Sequence, residues 1–270
     1  MTAPILLTGG TGTLGRVVVP LLRQAGHDVR VLSRRDHEDG DVEYVTGDLA
    51  TGTGVERAVA GVETIVHCAG GAKGDGDKAR TLMAAAPAGV RHVVYISVVG
   101  ADRVPVVSRA DRAMFGYYAE KAAGERAVAE SGIPWTTVRA TQFHELTLTT
   151  ARLLSRMPIV PVMSGFRFQP VDAGEVAARL AELALGAPAG LVPDFGGPRV
   201  YSMKELVRGY LAATGRRRLI VPARAPGRAA RAMRDGANLT PDRPVGRRTW
   251  EDFLAQHVAG AGADADAVSH

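Results

Sequence analysis

Ile5-Leu6-Leu7-Thr8-Gly9-Gly10-Thr11-Gly12-Thr13-Leu14-Gly15 decides the fold of this chain. An apolar run of strand length leads into glycines at 9, 12 and 15, and an amphipathic stretch follows. The glycines meet three physical demands: a tight strand-to-helix turn, backbone able to approach a pyrophosphate, and a small residue where helix meets sheet. The free N–H groups and positive dipole end of the next helix then face the phosphates. The segment reads as a dinucleotide-binding turn.

Outward from that turn, short apolar runs at 4–8, 28–33, 42–46, 62–67, 91–97 and 135–139 alternate with helical patterns at 13–25, 53–60, 76–88 and 117–131. This is the βαβ rhythm of a parallel sheet covered on both faces. Gly26, Gly61, Gly89 and Gly132 each close a helical stretch ahead of a strand. The expected class is α/β, a Rossmann doubly wound parallel sheet with a small C-terminal substrate lobe. Beyond 140 the rhythm loosens. Val171 to Leu185 reads as a helix with Asp172 and Glu175 as its capping box, Leu191 to Phe195 as a strand, and Ser202 to Ala213 as a helix capped by Ser202. Arg218 to Val221 reads as a strand and Arg247 to His257 as a last helix. Residues 1–257 are expected to form one NAD(P)-binding domain, its substrate lobe drawn from 141–257, with 258–270 a flexible tail.

At 270 residues and 46% hydrophobic, the chain can bury a large core. No apolar run reaches about 18 residues, so neither a membrane span nor a signal peptide is expected, and the location expected is cytoplasmic. Cys68 is the single cysteine, which excludes an internal disulfide and a cysteine-built zinc cage; no metal is expected. Positions 199–248 carry thirteen Lys and Arg against Glu205, Asp235 and Asp242. With no aromatics interleaved for base stacking, that stretch reads as a solvated surface, and neither nucleic acid nor membrane is expected as partner.

Ligands of open α/β sheets sit outside the carboxyl ends of the strands. After the second strand come Arg34 and Arg35 where NAD-selective folds place a carboxylate; their guanidinium groups suit a 2′-phosphate and favour NADP(H) over NAD(H). Gly47-Asp48-Leu49 sets one carboxylate near an adenine position, or serves as a turn. His67-Cys68-Ala69-Gly70-Gly71 is small enough for a ribose to lie against Ala69 and Gly70, with His67 a packed strand residue. The fifth strand ends at Ser97. Further on, Tyr117 and Lys121 are one helical turn apart on one face, where an ammonium would favour the phenolate. Tyr118 is out of register, and Glu120 and Glu125 fall on the solvated face.

Together these motifs resemble the short-chain dehydrogenase/reductase superfamily, in its atypical branch with NmrA-like and extended, epimerase-like members, over residues 3 to 215. The resemblance implies Tyr117 as general acid/base, Lys121 lowering its pKa and binding the nicotinamide ribose, and Ser97 orienting a carbonyl. It implies Gly9, Thr11, Gly12, Thr13, Leu14 and Gly15 at the pyrophosphate, Arg34 with Arg35 at the 2′-phosphate, Asp48 with Leu49 at the adenine, and Ala69 with Gly70 at the ribose. Gln142, Phe143 and His144 are expected in a substrate pocket, with His144 equally readable as a helix-start or surface histidine, under a loop from Asp102 to Gly116 that brings Phe115 as pocket floor or as core. The stretch from Gly76 to Ala88 lacks the asparagine that many members use in a proton relay. The expected activity is NADPH-dependent hydride transfer to a small carbonyl, enone or quinone, by a monomer or homodimer. The competing reading is a non-catalytic NADP(H) sensor of NmrA type.

Overall fold

The computed structural model describes residues 3–37, 40, 42–71 and 73–266, with side chains through residue 258. Its first half alternates strand and helix: β1 (Ile5–Thr8), α1 (Gly15–Gln24), β2 (Val29–Ser33), β3 (Glu43–Thr46), α2 (Val55–Val59), β4 (Thr64–His67), α3 (Asp75–Ala85), β5 (His92–Val98), α4 (Arg109–Ala129) and β6 (Trp135–Ala140). The rest adds α5 (His144–Leu154), β7 (Ile159–Met163), β8 (Arg167–Phe168), α6 (Ala173–Leu185) and β9 (Gly190–Leu191). Then follow β10 (Tyr201–Ser202), α7 (Met203–Ala213), β11 (Leu219–Ala223), α8 (Arg228–Asp235) and α9 (Trp250–Asp266).

Seven strands form one parallel sheet in the order β3-β2-β1-β4-β5-β6-β9. The sequence order reverses between β1 and β4, which opens a crevice at their carboxyl ends, the place where such sheets bind ligands. Both faces are covered at the centre of the sheet: all four residues of β1 and all seven of β5 are buried. Side chains alternate across the sheet. Ile5 and Leu7 enter the core beneath α1 and α6, while Leu6 enters the opposite core with Leu82 and Val128. The Rossmann expectation is met.

The second half forms smaller clusters around α7 with α9 and around α8. Several expectations change there. The stretch from Asp102 to Gly116 is not one loop, because α4 already starts at Arg109. Ser108 Oγ accepts from the Asp111 N–H at 3.0 Å and the Asp111 carboxylate accepts from the Ser108 N–H at 3.0 Å, a reciprocal cap. The strand expected at 191–195 shrinks to β9 and a single bridge between Phe195 and Ala140. Asp172 caps α6 as expected, but Glu175 accepts from the Arg247 N–H at 2.9 Å instead of closing the box. Helix α9 continues to Asp266 instead of ending at His257, so much of the tail expected at 258–270 is helical, and 267–270 lie outside the described residues.

Candidate functional site

The turn after β1 uses each glycine differently. Gly9 has φ +73°, and a Cβ there would stand 2.7 Å from the Ala69 nitrogen at the end of β4. A Cβ on Gly15 would lie 2.2 Å from the Gly9 carbonyl oxygen, so the start of α1 closes directly on the turn. Gly12 is exposed and its N–H donates to the Gly9 carbonyl at 3.0 Å, leaving bare backbone facing the crevice. Thr11 and Thr13 are exposed beside it, and Leu14 is buried. This cradle fits a dinucleotide pyrophosphate.

The floor of the crevice is fixed by Thr8. Its hydroxyl lies within hydrogen-bond distance of His67 Nδ1, at 2.6 Å, and accepts from the Ala69 N–H at 3.3 Å. Burial, aided by the charge of Lys121, lowers the His67 pKa to about 3 and keeps the ring neutral. His67 stacks on Tyr95 at 5.3 Å, the packed role expected of it. Burial pushes the Cys68 thiol up to about 12, so it is no nucleophile.

At the end of β5, Lys121 is 4% exposed and held from three sides. Its ammonium lies 3.1 Å from Asp75 Oδ2, donates to the Ile96 carbonyl at 3.1 Å, and sits 5.1 Å from the Tyr95 ring centre. Asp75 Oδ1 accepts from the Gly71 N–H at 2.7 Å. Small residues allow this closeness. A Cβ on Gly76 would fall 2.6 Å from Ala123 Cβ, and one on Gly124 would fall 2.2 Å from the Tyr95 hydroxyl. Burial opposes the Lys121 charge, but Tyr95 and Asp75 outweigh it and raise its pKa above the usual lysine value.

Tyr117 joins this group, its ring centre 5.8 Å from Lys121 Nζ, with 37% of the residue exposed. Tyr118 turns away into the α8 cluster, packing near Phe115 and Met233. Ser97, next to the Ile96 carbonyl that Lys121 binds, is buried with its Oγ lacking a hydrogen-bond partner among the described residues. The pKa of Tyr117 corrects an expectation. Burial around the phenol oxygen raises it and the Asp75 carboxylate raises it further, so it lies above the usual phenol value instead of below it. Asp75 was missed in the sequence because it stands one residue ahead of the expected helix, where Lys78 at i+3 reads as its ordinary helical partner, while Lys121 lies far along the chain.

Other positions divide. Arg34 and Arg35 are exposed just past β2. Asp48 Oδ1 accepts from the Ala50 N–H at 2.9 Å, the turn role weighed for it, and Leu49 is 5% exposed within the core. Ala69 and Gly70 line the crevice, and a Cβ on Gly70 would come within 2.8 Å of Lys121 Nζ. Of the expected pocket residues, Gln142 donates to Thr147 Oγ1 at 2.9 Å and Phe143 packs on the sheet core. Phe115 is 6% exposed among the residues that hold α8. His144 is wholly buried and stacked 4.9 Å from Phe253, with Nε2 3.1 Å from the Arg248 carbonyl. Phe115 and His144 are therefore core, because α8 and α9 cover them. Glu125 also leaves the solvated face: it makes paired hydrogen bonds of 2.8 and 2.7 Å with Arg139, which joins α4 to β6.

A family model described as NAD(P)H-binding matches residues 9–161. The chain is 32% identical over 245 residues to a ceramide reductase of Caulobacter vibrioides, covering 83% of this chain and 74% of the relative. It is 32% identical over 210 residues to a (4-alkanoyl-5-oxo-2,5-dihydrofuran-3-yl)methyl phosphate reductase of Streptomyces griseus, covering 74% and 70%. Its fold superimposes on an Escherichia coli NADPH-dependent quinone oxidoreductase complexed with NADPH, with a TM-score of 0.77 at 16% identity over 94% of this chain and 99% of that one. The resemblance drawn from these motifs together is borne out as membership of an NAD(P)H-binding family.

Proposed function

This chain belongs to the NAD(P)H-binding family, and from that premise we propose that it is an NADPH-dependent reductase of a small carbonyl, enone or quinone with Tyr117 as proton donor. The observation that carries the reading is the gathering of Tyr117, Lys121 and the unpartnered Ser97 Oγ at the end of β5. Relatives named as reductases support an oxidoreductase. Gly9, Thr11, Gly12, Thr13, Leu14 and Gly15 would hold the pyrophosphate, and Arg34 with Arg35 the 2′-phosphate that favours NADPH. Ala69, Gly70 and Lys121 would meet the ribose. The bound dinucleotide supplies a hydride.

The residues supply the rest. Ser97 Oγ donates a hydrogen bond to the substrate oxygen and steadies the negative charge that develops there. Tyr117, with its pKa raised, is a neutral phenol at neutral pH and gives its hydroxyl proton to that oxygen. A protonated donor is the state that reduction needs. NADPH and NADH consumption measured against a panel of carbonyls, enones and quinones tests the proposal. NADPH is expected to be consumed at a lower KM than NADH. NADPH that binds without turnover on any member of the panel would point to the sensor reading.

A further inference from the structure

Residues 146–171 and 206–234 contain eleven arginines, no lysine and no acidic residue. At the chain's overall acidic density, about six carboxylates would fall in those stretches. The fold brings their middles together. Strands β7 and β11 pair in parallel with Ile159 opposite Leu219, and Arg218 Nε donates to the Ser155 carbonyl at 3.0 Å.

Parallel strands are ordinarily covered on both faces. Here Val160 and Val162 pack inward against Val207 and Leu211, while Ile159 and Leu219 stay 51% and 62% exposed. Leu153, on the outer side of α5, is 61% exposed. Arg152, Arg156, Arg216 and Arg217 are exposed and make no ion pair among the described residues. An open cavity of about 570 Å³ lies between Arg156, Pro158, Arg217, Arg218 and Leu219. The face is thus aliphatic at its centre and cationic at its rim.

We propose that this face docks the chain on an anionic lipid bilayer, with the arginines at the phosphate headgroups and Leu153, Ile159 and Leu219 at the acyl boundary. Two copies placed face to face would set arginine against arginine. Nucleic acid would call for exposed rings to stack bases, but Phe166 and Tyr210 are buried and Phe168 is half-buried. No described helix is long and apolar enough to cross a membrane, so the contact is peripheral. The proposal stands independently of the redox reading.

Sedimentation of the full chain with vesicles of phosphatidylcholine alone, or containing about one third phosphatidylglycerol, tests it. Binding is expected only to the anionic vesicles and should weaken as salt rises. Arg156→Ser with Arg217→Ser should weaken it about 25-fold, about fivefold per charge. Leu219→Ser should also weaken it, with thermal midpoints showing that both variants remain folded. Failure to bind anionic vesicles, or binding unchanged in both variants, would overturn the proposal. A DNA duplex bound as tightly as the vesicles, with Leu219→Ser inert, would equally overturn it.

Discussion

Asp75 Oδ2 lies 3.1 Å from Lys121 Nζ with the two side chains 1% and 4% exposed, so the lysine one turn beyond Tyr117 is half of a buried ion pair. Removing one partner of such a pair leaves an uncompensated charge and costs about 3–5 kcal/mol. Asp75→Asn is therefore expected to lower the free energy of urea unfolding by about that amount. It also removes a carboxylate that raises the Tyr117 pKa, so the alkaline fall in reductase rate should move to lower pH. An unmoved pH profile would show that Asp75 serves stability alone.

Gly15 and Gly12 separate packing from cofactor contact. A Cβ at 15 meets the backbone oxygen of Gly9 at 2.2 Å, where no side chain can yield, whereas one at 12 meets it only at 3.2 Å. Gly15→Ala should cost about 1–3 kcal/mol in urea unfolding, as overpacking does. Gly12→Ala should leave unfolding nearly unchanged and weaken NADPH binding, read by cofactor fluorescence. Equal losses of stability in both variants would contradict this division.

Arg34 and Arg35 stand exposed past β2, free to meet a 2′-phosphate. Hydrogen bonds to charged groups are worth about 1.5–3 kcal/mol. Replacing both with alanine should thus raise the KM for NADPH about ten- to a hundredfold and leave that for NADH nearly unchanged. A parallel rise for both cofactors would place the 2′-phosphate elsewhere.

Acid should loosen the fold through its buried histidines. His67 has its pKa lowered to about 3, and burial also lowers those of His92 and His144. A depressed pKa stabilises the fold above the unfolded value of about 6.5, and that stability is lost as pH falls below it. The slope for His67 is one proton, about 1.4 kcal/mol per pH unit. Urea midpoints should fall steadily from pH 6.5 to pH 4, and less steeply in His67→Asn. A flat series would mean that His67 takes up its proton within the fold.

The strand and helix rhythm of the first half was legible because each element carries its own period and ends on its own signal, as Gly26, Gly61 and Gly132 do with φ of +84°, +72° and +77°. Contacts between distant segments were not. Asp75 and Lys121 meet only because Gly76 and Gly124 let α3 and β5 close on α4. His144 reads as a pocket residue until α9, about a hundred positions later, lands on it. The start of α4 is carried by the Ser108 and Asp111 spacing, a local capping signal that the expected loop from Asp102 to Gly116 runs across.

Tyr117→Phe removes one oxygen and keeps the ring, which makes it the sharpest test of the proton donor. The variant should bind NADPH as tightly as the parent, and its NADPH-dependent reduction of a responsive carbonyl or quinone should fall about 10²- to 10⁴-fold. In the parent the rate should stay level from pH 7 to about 10, because a phenol with a raised pKa loses its proton only beyond its usual value of about 10. Unchanged turnover in Tyr117→Phe would contradict the account.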